Sequence, residues 1–276
     1  MEQTIRSILA EEKIYLVSPV PLADCRVTRR YLLERAGIAE RDGVFEGTVW
    51  CFAIPYYVRH TGEPNISCYA WGRDYHAYVK ELSARVLPRL TAAFPGNRFA
   101  VFADHSPIDE RHAAAISGLG ILGDNGLVIT DDYSSYIFLA EIITDAPTDA
   151  VPHEIKKCES CGSCRRACPY HFSACLSELT QRKGELCNED KAAIRRYNTA
   201  WGCDICTEVC PHTHAALARG SIYTPIPFFY ERQEVHLTSE TVAAMDDEEF
   251  ALRAYSWRGR GVIMRNLAIL EDKHEG

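Results

Sequence analysis

Apolar and polar positions follow two different periods along the first half of this chain. Runs of β-branched and aromatic residues bounded by Pro, Gly or Asp predict strands. They are "KIYLVS" (13–18), "TVWCFAIPYY" (48–57), "RFAVFA" (98–103), "GLVIT" (126–130) and "SYIFLAEIIT" (135–144). Between Arg73 and Leu90 the apolar set is Tyr75, Tyr78, Val79, Leu82, Val86 and Leu90. That spacing predicts a helix with one buried face. "DERHAAAISG" (109–118) predicts a short helix stopped by Gly118. The pattern gives an α+β unit over residues 1–150.

"DAPTDAVPHE" (145–154), with two prolines, reads as a linker. A cysteine-rich unit follows within 151–225, and "SIYTPIPFFYE" reads as extended and broken by proline. The tail, 226–276, predicts two helices, "SETVAAMDDEEFALRA" and "GVIMRNLAIL", and is expected to pack back on the core.

The chain has 276 residues and 47% apolar content, enough for a real core. No run approaches eighteen apolar residues, so no membrane span is expected. The start, "MEQTIRSILAEEK", is charged and lacks the apolar stretch and cleavage site of a secretory signal, so a cytoplasmic location is expected. Net charge is −8, which argues against nucleic-acid binding through a generally basic surface and leaves room only for a local patch. Arg182, Lys183, Arg258, Arg260 and Arg265 are candidates for one.

Twelve cysteines in a cytosolic chain of this size read as metal ligands more than as disulfides. "CESCGSCRRACPY" places Cys158, Cys161, Cys164 and Cys168 at the C-x2-C-x2-C-x3-C-P spacing. In ferredoxins the first three thiolates of that run hold one [4Fe–4S] cube and the fourth ligates the other. A zinc site prefers separated C-x2-C pairs to a continuous run of four. "CDICTEVCP" adds Cys203, Cys206 and Cys210, but a symmetric motif would begin at Ala200. By cross-ligation Cys210 completes the first cube, and the second needs a thiolate from Cys175 or Cys187. Cys25, Cys51 and Cys68 read as small core residues. Two cubes form an electron wire, and a wire needs an acceptor. "GLGILGDNG" (118–126) lacks the dinucleotide spacing, so the acceptor is of another kind.

Four stretches in order carry a resemblance: "YAWGRDYH" (69–76), "ADHSPIDERHAAAISGLGILGDNGLVIT" (103–130), the double Cys-Pro segment and "SWRGRGVIMRN" (256–266). With "SYIFLAEIIT" they resemble the epoxyqueuosine reductases, over roughly residues 48 to 270. The resemblance implies an α/β cobalamin-binding domain, followed by a ferredoxin-like double-cluster domain. It implies base-off cobalamin, two [4Fe–4S] clusters, an external electron donor and a tRNA anticodon loop as substrate. The reaction implied is two-electron removal of the epoxide oxygen, which yields queuosine. A monomer is expected.

Residue by residue, the resemblance makes Asp104 the general acid, its pKa expected to be raised by desolvation. It selects Cys175 as the eighth ligand, through "CLSELTQRKG". The sets become Cys158, Cys161, Cys164, Cys210 and Cys168, Cys175, Cys203, Cys206. Cofactor contacts fall on Ser67, Cys68, Tyr75, His76, Asp104, Val128, Leu139 and Ser177, many through backbone atoms. Asp124-Asn125 stands where the family commonly has Lys-Asn, and the helical repeats that longer members use on tRNA have no match here. Two other readings predict different behaviour. A corrinoid reductase with a small-molecule substrate would bind cobalamin without acting on modified tRNA, and a two-cluster electron carrier would bind no corrinoid.

Overall fold

Strand Thr48–Pro55 is buried at all eight positions, because it lies inside a sheet covered on both faces. A computed structural model describes residues 1–272 of the chain. In it Thr48–Pro55 pairs antiparallel with Val17–Pro21 on one side and with Ile137–Thr144 on the other. Phe99–Phe102 pairs antiparallel with Ile137–Thr144 and closes the four-stranded sheet. Successive side chains of a strand point to opposite faces. Trp50, Phe52 and Ile54 thus join a core with Ile5 and Leu9 of helix Glu2–Glu11 and with Tyr78, Leu82, Val86 and Leu90 of helix Tyr75–Ala93. Val49, Cys51 and Ala53 face the other way, onto Ala113, Ala114 and Ile116 of helix Glu110–Ile116.

The first strand is displaced from its sequence expectation. "KIYLVS" contributes only its end, because Lys13 takes a left-handed turn (φ +65°) after the first helix and the ladder begins at Val17↔Phe52. Pro19 and Pro21 are tolerated because this is an edge strand. "GLVIT" also differs. Only Val128–Ile129 is extended, and it forms a two-residue hairpin with Ile121–Leu122 outside the main sheet. The tail helix "SETVAAMDDEEFALRA" is two helices, Ser239–Ala244 and Asp247–Ala251. Asp246 breaks it, its carboxylate accepting the Glu249 N–H at 2.7 Å as an N-cap.

The tail belongs to the same core as the sheet. Phe228, Phe229, Leu237, Val242, Tyr255, Ile263 and Leu267 pack into the cluster that holds Trp50 and Phe52. The last helix, Arg260–Glu271, carries fully buried Asn266. Its Nδ2 donates to Thr180 O at 2.7 Å and to Ala200 O at 2.8 Å. Among the described residues no helix is long and apolar enough to cross a membrane.

Candidate active site and thiol cavities

Short helices and turns hold the cysteine loops. Leu122 N–H donates to Lys156 O, and Cys158 N–H donates to Leu122 O, so the small hairpin carries the first loop. Gly162 starts helix Ser163–Ala167 with a positive φ of 74°, and Pro211 opens helix Pro211–Arg219. Cys158, Cys161, Cys164 and Cys210 line one cavity together. Cys168, Cys175, Cys203 and Cys206 line a second one, of about 470 Å³. Cys187 lines neither and stands exposed, just ahead of helix Asn188–Arg196. Among the described residues no three His, Cys, Asp or Glu side chains form a group for a single metal ion. The thiols instead line two cavities, four to each. Asp124 and Asn125 border both cavities, and Asn125 Nδ2 donates to Cys206 Sγ at 3.8 Å. Burial pushes Cys203 up to about 12 and raises Cys206.

Ala200, the position without a cysteine, is fully buried. Its N–H donates to Asn65 O at 2.6 Å, and Ser67 N–H donates to Trp201 O at 2.7 Å. This backbone docking ties the second cysteine loop to the Ser67–Cys68 turn. Gly202 follows with φ +73°, and a Cβ there would lie 2.4 Å from Ser67 Cβ. Asp204, between Cys203 and Cys206, clamps the same turn. It accepts Ser67 Oγ–H at 2.5 Å and Cys68 N–H at 2.7 Å. Its side chain is partly buried, and desolvation raises the carboxyl to about 6 against those two hydrogen bonds. Gln181 Nε2 reaches Ser177 Oγ at 3.2 Å and Tyr69 OH at 3.5 Å, joining helix Leu176–Gln181 to that turn as well.

The second constellation surrounds Asp104. It follows the edge strand Phe99–Phe102 and holds a left-handed backbone, φ +60°, unusual for a non-glycine residue. Its N–H donates to Glu110 Oε1 at 2.9 Å. Its Oδ2 lies 3.6 Å from His76 Nε2, an ion-pair separation. His76 Nδ1 is 2.7 Å from Asp74 Oδ1, and the His76 backbone N–H is capped by the same oxygen at 2.9 Å. Asp104 first and Asp74 second raise the imidazole to about 9. The expectation of a raised Asp104 pKa is overturned. The side chain is 70% exposed and faces the imidazolium, so His76 lowers it. At neutral pH the proton of this pair resides on His76.

Tyr75 stacks on Phe138 at 3.9 Å and 9°, whereas half-buried Ile137 and Leu139, on either side of Phe138 in the strand, turn to the opposite face of the sheet. The His76 ring lies 4.1 Å from that of Tyr75 and stands between this pair and the Asp104 carboxylate. Val128 is 3% exposed, which leaves its backbone rather than its side chain for a ligand. Asp204 and Gln181 tie the second cysteine segment to the Ser67–Tyr69 turn.

Two acids escaped the sequence reading. Glu141, buried at 2% exposure, interrupts the apolar run "SYIFLAEIIT", and that lone charge was the available signal. Asp204 was hidden between two cysteines. The basic candidates also need correction. Arg265 donates to Arg182 O at 2.8 Å and to Gly184 O at 2.5 Å, and Arg260 donates to Val242 O at 2.5 Å and lies over the Phe250 ring. Both hold the tail in place. Arg182 is paired with Glu178 and Asp190. Arg258 instead lies 3.7 Å over the ring of Trp257, which is 58% exposed.

Residues 46–105 match the family described as "Epoxyqueuosine reductase QueG, DUF1730". Over 294 aligned residues the chain is 31% identical to the epoxyqueuosine reductase of Bacillus subtilis, covering 98% of this chain and 71% of that protein. It is 30% identical to the epoxyqueuosine reductase of Listeria monocytogenes, covering 75% of this chain and 56% of that protein. It therefore spans between 56% and 71% of the length of these curated relatives. In fold it matches an epoxyqueuosine reductase crystallised with a modified tRNA stem loop. There the TM-score is 0.75 at 23% identity, over 98% of this chain and 81% of that one.

Proposed function

Because the chain belongs to the epoxyqueuosine reductase family, we propose that it reduces epoxyqueuosine to queuosine in tRNA, using two [4Fe–4S] clusters and base-off cobalamin. The observation that carries this reading is the grouping of eight thiols into two sets of four, each around its own cavity, with Asp204 tying the second set to the Ser67–Cys68 turn. Cys158, Cys161, Cys164 and Cys210 would hold one cluster, and Cys168, Cys175, Cys203 and Cys206 the other. The stacked pair of Tyr75 and Phe138, with Ser67, Cys68, Val128, Leu139 and Ser177, would take the corrin. When bound, these groups supply the two electrons for removing the epoxide oxygen, drawn from an external donor.

The chain's own part is proton supply and orientation. Overall, one epoxide, two electrons and two protons give one alkene and one water. Asp104 is ionised and His76 carries the proton 3.6 Å away. We assign His76, 3.6 Å away, as the store that would protonate Asp104 Oδ2 once a bound substrate excludes water from the pair. Asp104 then gives that proton to the departing oxygen. The exposed Trp257 ring, with Arg258 over it, offers a stacking face for an RNA base.

The test is nucleoside mass spectrometry on tRNA carrying epoxyqueuosine. The protein is reconstituted anaerobically with iron, sulfide and cobalamin and given a strong reductant. Queuosine is expected, and Asp104→Asn is expected to abolish it. Cobalamin retained with the epoxide intact would move the substrate assignment to a small molecule. No cobalamin retained would leave an electron carrier.

A further inference from the structure

The two carboxylates that flank His76 are held very differently. Asp74 is pinned through backbone and side chain. Its N–H donates to Leu252 O of the tail at 2.7 Å. Its Oδ1 accepts the His76 backbone N–H at 2.9 Å and so caps helix Tyr75–Ala93. The same oxygen lies 2.7 Å from His76 Nδ1, and the Asp74 side chain is 20% exposed. Asp104 is 70% exposed, and its Oδ2 stands 3.6 Å from the opposite ring nitrogen, Nε2. The first contact is a formed hydrogen bond, and the second is still too long to be one.

We propose that Asp74 is the positioning residue of His76: it holds the ring and its Nδ1–H, so that the proton His76 delivers leaves from Nε2 toward Asp104. The role rests on the proposed acid function of Asp104. A ring nitrogen bonded to a carboxylate keeps its proton, and the other nitrogen is then the one free to exchange. In the step, the Nε2–H bond of the imidazolium breaks and an O–H bond forms on Asp104 Oδ2. A cation and an anion become two neutral groups. His76 is left as the Nδ1–H tautomer, the opposite of the one a free histidine side chain prefers.

Transfer needs a heavy-atom separation of about 2.6–3.2 Å, so one partner has to approach. The ring is fixed by Asp74 and flanked by the Tyr75 ring at 4.1 Å, which leaves exposed Asp104 as the group that moves. The other charges about the pair face Asp104. Arg29 and His105 act on its carboxylate, and Glu110 accepts its N–H. Between turnovers solvent reaches the 55% exposed imidazole and reloads Nε2.

The experiment uses the full chain reconstituted with iron and sulfide, without cobalamin or tRNA and with 15N-labelled histidine. The His76 signals are identified by their loss in His76→Gln. Ring 15N shifts, followed from pH 5 to roughly 10.5, show which nitrogen keeps the proton once the ring is neutral, above about 9 in wild type. Wild type is expected to keep Nδ1–H. In Asp74→Ala the proton moves to Nε2, facing Asp104, and the ring titrates lower than in wild type. Asp74→Ser keeps a hydroxyl for the helix cap but is too short to hold the ring. It should show the same switch with an unfolding midpoint close to wild type. A neutral wild-type ring protonated at Nε2 overturns the assignment, and so does Nδ1–H that survives in both variants. If Asp74→Ala does not fold, Asp74→Ser decides alone. Turnover is then read after cobalamin and substrate tRNA are added. Queuosine formation by Asp74→Ser should fall about tenfold or more with KM for tRNA unchanged; a normal rate beside a switched tautomer overturns the delivery role. The acid itself is tested separately. An active Asp104→Asn removes the acid function and leaves the tautomer result standing. A dead Asp104→Asn beside an unmoved tautomer in the Asp74 variants keeps the acid and removes Asp74.

Discussion

His76→Gln removes an imidazolium held between two carboxylates, and its effect on stability has a definite pH signature. The helix cap survives, because Asp74 caps through the His76 backbone N–H. A rise of the imidazole from 6.5 to about 9 corresponds to roughly 3 kcal/mol of preference for the charged form if nothing screens it. The side chains of His76 and Asp104 are 55% and 70% exposed, so solvent and salt bring this to about 1 kcal/mol. The sign follows from linkage. The contribution is complete below pH 6.5 and is lost as pH rises through about 9. On the acid side it fades as Asp104 protonates, below its ordinary 3.8. Anaerobic urea titrations should therefore find His76→Gln less stable than wild type by about 1 kcal/mol between these limits, with the gap closing near pH 9. In Asp104→Asn the His76 resonance should titrate lower than in wild type. A wild-type His76 titrating at or below 6.5, or a gap that ignores pH, refutes the two-carboxylate account.

Cys175→Ser should halve the iron retained after anaerobic reconstitution, while Cys187→Ser should leave it unchanged; equal losses would undo the assignment of the second set. Asp204→Ala strands two buried donors, Ser67 Oγ–H and Cys68 N–H, and should cost about 2–3 kcal/mol in chemical denaturation. A cost under roughly 0.5 kcal/mol, within the range of ordinary surface changes, would mean that the clamp is idle. Glu141 and Glu110 are raised above 4.5 in the folded chain, so wild-type stability should fall as pH climbs from 4.5 through about 7. Glu141→Gln keeps an acceptor for Ser106 and should flatten that slope, gaining about 1–2 kcal/mol at pH 8; an unchanged slope would place the cause elsewhere.

The legible parts of the fold were those where one period dominates. The face of Tyr78, Leu82, Val86 and Leu90 gave a helix that runs on to Ala93 despite Pro88. "TVWCFAIP" and "IFLAEIIT" gave strands, because continuous apolar runs suit a sheet covered on both faces. "KIYLVS" misled because a left-handed Lys13 and an edge register are set by partners distant in sequence. The two Cys-Pro runs were legible because their spacing is local, but spacing left Cys175 and Cys187 both open; the resemblance chose Cys175, which lines the second cavity while Cys187 does not. The backbone docking of Ala200 and the role of Asp204 were not legible, since both depend on the Asn65–Cys68 turn far upstream. The charge state of Asp104 failed for a related reason: His76 lies on a different element, and exposure is invisible in a sequence.

Asn266 gives the end of the chain an unexpected consequence. One side chain on the last helix holds Thr180, just after Cys175, and Ala200, just before Cys203. Electron tunnelling weakens steeply with every added ångström of gap. A carboxy-terminal helix fastened to both stretches acts as the spacer of a circuit, fixing the interval across which current must jump. Trimming or loosening that helix is therefore expected to slow the proposed electron delivery while every ligand and proton donor stays intact, a failure of wiring with the chemistry unimpaired.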